Sequence, residues 1–296
     1  MQTARSAGTL PVAAAAPPAS LLAKRLRRLL RHRLGCIGLV VLASMVLLAV
    51  FAPLIAPYGP DEVDFDAILV PPDARFWLGT DDVGRDVLSR LLFGGRVSLG
   101  IVCGAIGSAF LIGSAIGLVS GFYGGWVDAV IMRIMDGLLA FPLLVLALGI
   151  IAVLGPNLVN AMIAIAVINI PGFARLVRGQ VLSVRQLDYV QAARSIGASD
   201  PRIMLGHVWP GVVGNVIVYA SLRSSSALIT ESSLAFLGLG AEPPTPSWGQ
   251  MLSTAMQYWD AWWLSLFPGL TIFCACLALN FLGDGLRDVL DARLSD

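Results

Sequence analysis

Long apolar runs divide this chain, and no other feature constrains its fold as strongly. Several runs reach the roughly 20 residues that an α-helix needs to cross the hydrocarbon core of a bilayer. Hydrophobic residues make up 57% of the 296 residues and charged residues only 13%. A soluble protein of this length could not bury so much apolar surface, so the sequence predicts an all-α integral membrane protein built as one helical bundle.

Six segments are predicted to be spanning helices. They cover residues 36–57, 97–122, 130–154, 159–173, 212–237 and 263–283. Pro171 and Gly172 interrupt the fourth segment, since a proline removes a backbone donor and a glycine weakens a helix. We therefore expect that span to end near them.

The positions of Lys and Arg predict how the spans are oriented, because cytoplasmic segments carry the excess of basic residues. Basic residues are concentrated before the first span and again between residues 175 and 210. Acidic residues outnumber arginines in 58–96, and 238–262 contains no basic residue. This alternation predicts that both termini are cytoplasmic. The apolar part of the N-terminal region is too long for a signal peptide, which favours a retained anchor.

The same pattern divides the chain into predicted regions. They are a disordered basic tail (1–33), a first transmembrane anchor (34–57), an external segment with a short surface helix (58–96), a transmembrane core (97–283) that includes an external loop (238–262), and a cytoplasmic C-terminus (284–296).

The surface helix is predicted near the end of the external segment. Thr80 is placed to cap it, and Asp81 and Asp82 would lie in its first turn, where the helix dipole favours acidic side chains. Asp86 and Arg90 would pair one turn apart.

Glycines recur along the second span in two runs, each with steps of four residues. Such spacing predicts a helix face that a neighbouring helix can approach closely. The glycines are Gly100, Gly104, Gly113, Gly117 and Gly121.

The groups that catalysis or cofactor binding require are missing from the sequence. Lys24 is the only lysine and lies in the basic N-terminal run, so neither a P-loop nor a Schiff-base site can be built. His32 and His207 are the only histidines, and neither has neighbours at the spacing of metal ligands. We expect no catalytic, cofactor-binding or metal-binding residue. A partner or an ion gradient must then supply any energy, and the net charge of +1 gives no indication of a nucleic-acid partner.

A polar segment rich in Ala and Gly, residues 188–210, interrupts the apolar pattern. Gly197 divides it into two predicted short helices. The first places Ala192, Ala193 and Ile196 on one face. The second is expected to follow at once, which gives a helix-turn-helix at the cytoplasmic side.

The second short helix has its own start and stop signals. Asp200 is placed to cap it, Pro201 takes its first position, and Pro210 is expected to end it. A membrane-surface helix usually carries bulky apolar residues opposite several basic ones, and the segment fits that description poorly. A surface for docking another protein is favoured, although periodicity alone leaves both alternatives open.

The polar segment 188–210 resembles the cytoplasmic EAA loop of ABC importer permeases, in which Glu-Ala-Ala is followed after three residues by Gly and further on by Leu-Pro. The matching residues are Gln191, Ala192, Ala193, Gly197, Trp209 and Pro210. Gln replaces the usual Glu, and Trp replaces the usual Leu. The resemblance implies that residues 178–210 form the loop that couples the chain to an ATPase. The expected coupling residues are Gln191, Ala192, Ala193, Gly197, Asp200 and Pro210.

Further stretches are similar to the second, C-type permease subunit of the dipeptide/oligopeptide/nickel branch of that family. They are FWLGTDDVGRDVLSRLLFGGRVSLG (76–100), DGLLAFP (136–142), ESSLAFLGLGAEPPTPSWGQML (231–252) and LGDGLRDVLDARL (282–294). The matches appear in family order and extend over most of the chain after the N-terminal tail.

The resemblance implies a type I importer permease fold in a bacterial inner membrane and a role as half of a translocation pathway. The implied partners are a homologous second permease subunit, two ABC ATPase subunits that bind ATP and Mg²⁺, and an extracytoplasmic substrate-binding protein. The implied substrates are di- and oligopeptides, with a nickel chelate or a glutathione-like solute as alternatives. An ion-coupled secondary transporter is the rival class, but the chain shows no clear internal repeat.

Ionisable residues inside the fifth span are candidates for the substrate path, because burying a charge in a membrane is costly. Arg223 is expected to face the cavity and to attract a substrate carboxylate, with Ser224, Ser225 and Ser226 near it. Glu231, about two turns further along, is the other candidate for the substrate path. The alternative is an ion pair within the bundle, with Glu231 or with the partner subunit. A further surface pair is expected between Arg133 and Asp136.

Overall fold

A computed structural model describes residues 32–291 of the chain. Within that range five helices are long and apolar enough to cross a membrane, or six if a bent pair of helices counts as one span. This confirms the predicted all-α membrane protein with about six spans. The predicted basic tail, apart from its last two residues, and residues 292–296 lie outside the described range.

The helices are numbered here in chain order. Their bounds are α1 Arg33–Val50, α2 Ala52–Ile55, α3 Val87–Tyr123, α4 Gly125–Leu139, α5 Leu143–Leu154, α6 Leu158–Val184, α7 Asp188–Ser195, α8 Asp200–Ile203, α9 Trp209–Phe236, α10 Trp248–Ala255 and α11 Trp262–Asp291, with a π-helical turn at Met204–Val208 between α8 and α9.

Helices α3 and α6 form the tightest pair in the bundle, and three of the predicted glycines make the contact possible. A Cβ atom added to Gly113 would lie 2.8 Å from the carbonyl oxygen of Ile170, and one added to Gly117 would lie 2.4 Å from that of Ala174. Gly121 makes the same kind of approach one turn further on. Since these backbones nearly touch, any larger side chain would force the helices apart. The predicted packing face is therefore confirmed here.

The glycine pattern does not extend unchanged to the start of the second span. Gly104 faces the side chain of Met162, but a Cβ atom on Gly100 would meet nothing within 4 Å. Within residues 32–291 no helix packs against Gly100, so the prediction is wrong at this position.

The predicted surface helix is wrong. Residues 58–86 contain no helix, and α3 begins directly at Val87, capped by the Asp86 carboxylate that accepts a hydrogen bond from the backbone N–H of Ser89 at 2.8 Å. Thr80 does not act as a cap because its hydroxyl donates to the carbonyl oxygen of Ala67 and accepts from the N–H of Val70. The Thr80 hydroxyl, which the local pattern assigned to a helix cap, is thus bonded within the loop before α3.

Arg90 pairs with Asp61 and Asp81 instead of the predicted Asp86. It is almost fully buried, and its guanidinium lies 3.6 Å from both Asp61 and Asp81. One of its nitrogens donates to the carbonyl oxygen of Pro60 at 2.8 Å. The side chain therefore links the connecting loop to α3.

Pro171 does not end the fourth span. Helix α6 continues through it to Val184, because the residues on either side are held by packing: the carbonyl of Ile170 lies against Gly113, and Gly172 lies against the Tyr219 ring. Tertiary contacts outweigh the cost of one missing hydrogen bond.

The third span is bent, not straight. Helices α4 and α5 meet at an angle of 91°, with the break at Ala140, Phe141 and Pro142. A proline disfavours helical backbone in the residue before it, which explains the position of the break. The sequence predicted one straight span here because both halves are apolar.

Candidate coupling site and substrate path

The polar segment is divided at Gly197, as predicted, into the short helix α7 and a second helix that starts at Asp200. Gly197 has a φ of +82°, and the N–H groups of Gly197 and Ala198 bond back to the carbonyls of Arg194 and Ala193 at 3.0 and 3.1 Å. This is the Schellman arrangement that closes a helix with a left-handed glycine. Gly197 is thus needed for its backbone conformation, and an added Cβ would meet nothing within 4 Å.

The exposed face of α7 differs in part from the prediction. Ala192 and Ile196 lie four residues apart on the outer face, and Ile196 is 85% exposed. Ala193 points inward and is 5% exposed. Val190, three residues earlier on the same inner face, is 1% exposed. Placing Ala193 on the same face as Ala192 is therefore wrong, since consecutive helical residues point about 100° apart. The outer face presents a small residue beside one large apolar residue.

Gln191 links α7 to the end of α6. Its side-chain amide nitrogen donates a hydrogen bond to the carbonyl oxygen of Arg185 at 3.0 Å, and Arg185 is the residue that closes α6. A glutamate carboxylate at this position could not donate that bond at neutral pH. The Gln that departs from the EAA pattern therefore has a local structural partner.

Arginines attach the same region to the C-terminal end of α3. One guanidinium nitrogen of Arg185 donates to the carbonyl oxygens of Gly121 and Phe122 at 2.9 and 3.1 Å. The guanidinium of Arg194 lies 5.5 Å from the centre of the Phe122 ring. A cation at a helix C-terminus is favourable because the last carbonyls carry partial negative charge. Helix α7 is thus attached to the end of a 37-residue helix.

The second short helix starts one residue earlier than predicted and does not stop at Pro210. Ser199 takes the cap position, although no side chain there bonds to the backbone, and Asp200 lies in the first turn. The chain then passes through the π-helical turn, where the N–H of Trp209 bonds to the carbonyl of Met204 five residues back. This wider turn accommodates Pro210, which lacks an N–H, and α9 continues to Phe236.

Arg223 lies half-buried on α9 and has two neighbours that the sequence pattern did not indicate. Its Nε atom donates to the amide oxygen of Asn169 at 3.2 Å, and its guanidinium lies 5.7 Å from the centre of the Tyr219 ring. Asn169 could have been noticed as an amide inside an apolar run. The adjacent Ser224 donates to the carbonyl of Ala220 at 2.8 Å.

Ser225 and Glu231 are buried in this conformation. Ser225 accepts a hydrogen bond from the side chain of Asn280 at 3.2 Å. Glu231, at 1% exposure, accepts from the hydroxyls of Ser98 and Ser232, both at 3.3 Å. Between residues 32 and 291 no ion pair joins Arg223 and Glu231, so the predicted alternative of a bond between these two is wrong.

The predicted surface pair between Arg133 and Asp136 is also wrong. Asp136 instead accepts a hydrogen bond from Arg175 on α6, and Asp128 binds Arg178 in the same way. Both acidic residues therefore tie α4 to α6, which a pattern within one helix cannot indicate.

Two known family models match the chain. A family model described as the inner membrane component of binding-protein-dependent transport systems matches residues 113–296. A second model, the N-terminal transmembrane domain of oligopeptide transport permease C, matches residues 20–72. The chain belongs to the family of inner membrane components of binding-protein-dependent ABC transport systems. It is a multi-pass transport subunit and not an enzyme.

Individual relatives narrow the branch. The chain is 42% identical to the dipeptide transport system permease protein DppC of Alkalihalophilus pseudofirmus, covering 90% of this chain and 88% of that protein. It is 45% identical to the di/tripeptide transport system permease protein DppC of Pseudomonas aeruginosa, covering 90% of each chain. It is 42% identical to the glutathione transport system permease protein GsiD of Pectobacterium atrosepticum, again covering 90% of each. The predicted resemblance to C-type permease subunits is confirmed.

Proposed function

We propose that the chain forms one half of the membrane pathway of an ATP-driven importer of di- and oligopeptides. A homologous permease subunit forms the other half, two ATPase subunits bind ATP and Mg²⁺, and an extracytoplasmic protein delivers the peptide. The similarity to dipeptide and di/tripeptide permeases supports this substrate class. Membership of the binding-protein-dependent family argues against the alternative class, an ion-coupled secondary transporter.

The observation that carries the proposal is the attachment of α7 to the end of α3. The face around Ala192 and Ile196 is exposed. On the inner side, Arg194 of α7 contacts the Phe122 ring, and Arg185 at the end of α6 bonds to carbonyls in the last turn of α3. An ATPase that binds this face therefore acts on a helix that crosses the whole bundle. Coupling then requires only that the ATPase prefer one of the two positions of the segment.

The orientation follows from the same assignment. If α7 meets cytoplasmic ATPases, the C-terminal ends of α3 and α6 are cytoplasmic, and the loop before α3 is external. Both chain termini are then cytoplasmic, in agreement with the basic residues before the first span.

The experiment is to replace Gly197 by Glu and purify the complete transporter. A carboxylate with strained backbone at this turn should prevent ATPase docking while the subunit remains in the membrane. Gly155→Glu is the matched control, because Gly155 also has a positive φ and an added Cβ there would meet nothing within 4 Å. Normal ATPase co-purification and peptide uptake in Gly197→Glu would contradict the proposal.

For the substrate path we propose Arg223 as the group that attracts a peptide carboxylate. Asn169 holds its Nε atom and Tyr219 lies beside it, which leaves the two terminal guanidinium nitrogens without a hydrogen bond to any described residue. Ser224 lies next to it. Ser225 and Glu231 are buried, so they take part only when α9 moves as the pathway opens. Uptake by Arg223→Ala should fall for peptides with a free C-terminus and change little for amidated ones.

Glutathione is the second candidate substrate. The relatives named as glutathione permeases are as similar to this chain as the dipeptide permeases are. Competition for labelled dipeptide uptake by unlabelled dipeptide and by glutathione distinguishes the two.

A further inference from the structure

A cavity of about 480 Å³ lies beside the N-terminal half of α3. Its volume falls within the range of small-molecule sites. Pro60 and Asp61 line it from the loop before α3, while Thr245 and Pro246 line it from the loop after α9. Two separate loops and a helix contribute to its wall, and the cavity is open on one side.

The position of the cavity in the bundle is set by Arg96, which lines it. Along α3, Arg96 and Phe122 are separated by about 39 Å at the rise of an ideal helix, more than the hydrocarbon thickness of a bilayer. Phe122 is the residue that Arg194 of α7 contacts. The cavity and α7 therefore lie on opposite sides of the membrane.

Arg96 is a cationic side chain that lines the cavity. Its side chain is exposed and forms neither an ion pair nor a hydrogen bond with any residue in the range 32–291. Gly100 lies one turn further along the same helix face, and a Cβ atom there would meet nothing within 4 Å.

Asp61 supplies the opposite charge. Its side chain is 49% exposed and lies 3.6 Å from the buried Arg90 guanidinium. Arg90 also lies 3.6 Å from Asp81, so its charge is shared between two acids. Asp61 is therefore only partly neutralised, and it forms no ion pair with Arg96 in the described structure.

Apolar side chains complete the wall between the two charges. Phe93, Val97, Ile101 and Leu158 line the cavity together with the charged residues. A ligand that suits this arrangement carries an ammonium group, a carboxylate and apolar substituents. An unblocked short peptide has all of these.

We propose that this cavity binds a peptide by its two charged ends, with Arg96 taking the carboxylate and Asp61 the ammonium group. The inference rests on the proposed function and adds to it an outer site that precedes Arg223, which does not line the cavity. A guanidinium recognises a carboxylate with two parallel hydrogen bonds, so Arg96 contributes selectivity as well as charge.

The test is competition binding to the purified, complete transporter in nanodiscs, without the binding protein and with radiolabelled dialanine as the probe. Competitors are unlabelled dialanine, its N-acetylated form and its C-terminal amide. For the wild type, dialanine should compete about tenfold better than either blocked form. Arg96→Ala should remove the preference over the amide alone, and Asp61→Asn the preference over the acetylated form alone.

Controls separate this result from general damage. Arg96→Lys keeps the charge and should retain part of the preference over the amide. Glu62→Gln, an acid next to Asp61 that does not line the cavity, should change nothing. Equal weakening of all three competitors in either variant would overturn the inference and would assign this face to packing against the second permease subunit. A wild type without any preference would also overturn it.

The failure of the proposed function can be told apart from this outcome. ATP-driven uptake by the wild-type transporter, reconstituted with its binding protein, is measured in parallel. Absence of dipeptide uptake would refute the proposed function, whereas normal uptake by the wild type together with equal weakening of all three competitors in the variants would refute only the outer site.

Discussion

The two ends of α3 are held in different ways. At the N-terminal end, Arg90 is buried among carboxylates and carbonyls, and the indole N–H groups of Trp248 and Trp263 donate to the carbonyls of Leu91 and Thr80, both at 3.0 Å. At the C-terminal end, the side chains of Arg185 and Arg194 reach from the end of α6 and from α7 to the last turn of α3.

This difference separates a rigid end from an end built for docking. Around Arg90, the N-terminal end satisfies its polar groups through contacts within the subunit. The C-terminal end keeps α7 in place by a few bonds on its inner side and leaves the outer face open. A perturbation should therefore lower stability at the first end and lower coupling at the second.

The largest effect is expected from Arg90→Met. Removing this buried cation takes the hydrogen-bond donor from the Pro60 carbonyl and one of the two arginine partners of Asp81, which should reduce the free energy of unfolding by about 2–3 kcal/mol. Thermal unfolding of the purified subunit measures the change.

Arg75→Met is the matched control at the same end of the molecule. Arg75 pairs with Asp64 at 2.8 Å, but its side chain is 60% exposed. The Tm should not change measurably, because solvent screens an exposed pair. Equal destabilisation by both substitutions would contradict the assignment of rigidity to the buried arginine.

A smaller effect on stability and a larger one on coupling are expected from Arg185→Met. The variant loses its bonds to the carbonyls of Gly121 and Phe122, at a cost of about 1–2 kcal/mol. ATP hydrolysis should continue while peptide uptake per ATP falls severalfold. The measurement is the ratio of imported peptide to ATP hydrolysed in proteoliposomes.

Arg133→Met provides the comparison for that measurement. Arg133 is exposed and forms no bond with any described residue, so the ratio should stay at the wild-type value. If Arg185→Met also kept the wild-type ratio, the arginine would not transmit movement to α3.

The smallest effect is expected from Gln191→Glu. This change restores the usual residue of the EAA pattern but removes the donor to the Arg185 carbonyl and places a negative charge at a helix C-terminus, at a cost of about 0.5–1.5 kcal/mol. Uptake per ATP should fall modestly, as in Gln191→Ala. An increase in uptake per ATP would show that the carboxylate contact with the ATPase outweighs the local bond.

What the sequence predicted well depends on features that act locally. The apolar runs marked the spans, because a bilayer requires their length and composition. Gly197 marked the break between α7 and α8, since few residues other than glycine adopt a positive φ. The spacing of Gly113, Gly117 and Gly121 indicated a close helix contact without naming the partner helix.

What the sequence missed depends on contacts between distant residues. Pro171 and Pro210 were expected to end helices, but packing around Gly172 and a π-helical turn carry the chain through them. Thr80 was expected to cap a helix, but its hydroxyl is used by the loop. The hydrogen-bond partners of Arg223 and Asp136 lie on α6, more than 35 positions away in the chain. Periodicity within one helix carries no information on such pairs.

The central claim is that the outer face of α7 docks the ATPase, and disulfide cross-linking tests it most directly. A single cysteine replaces Ile196 in a variant whose native cysteines are serines, and it is oxidised against an ATPase subunit that carries one cysteine in its permease-facing surface. Thr245→Cys, at the opposite end of the bundle, serves as the control. The account predicts a cross-link from position 196 to the ATPase and none from position 245. A transporter that assembles and takes up peptide, yet forms no cross-link from position 196 with cysteines scanned over that surface, would contradict it.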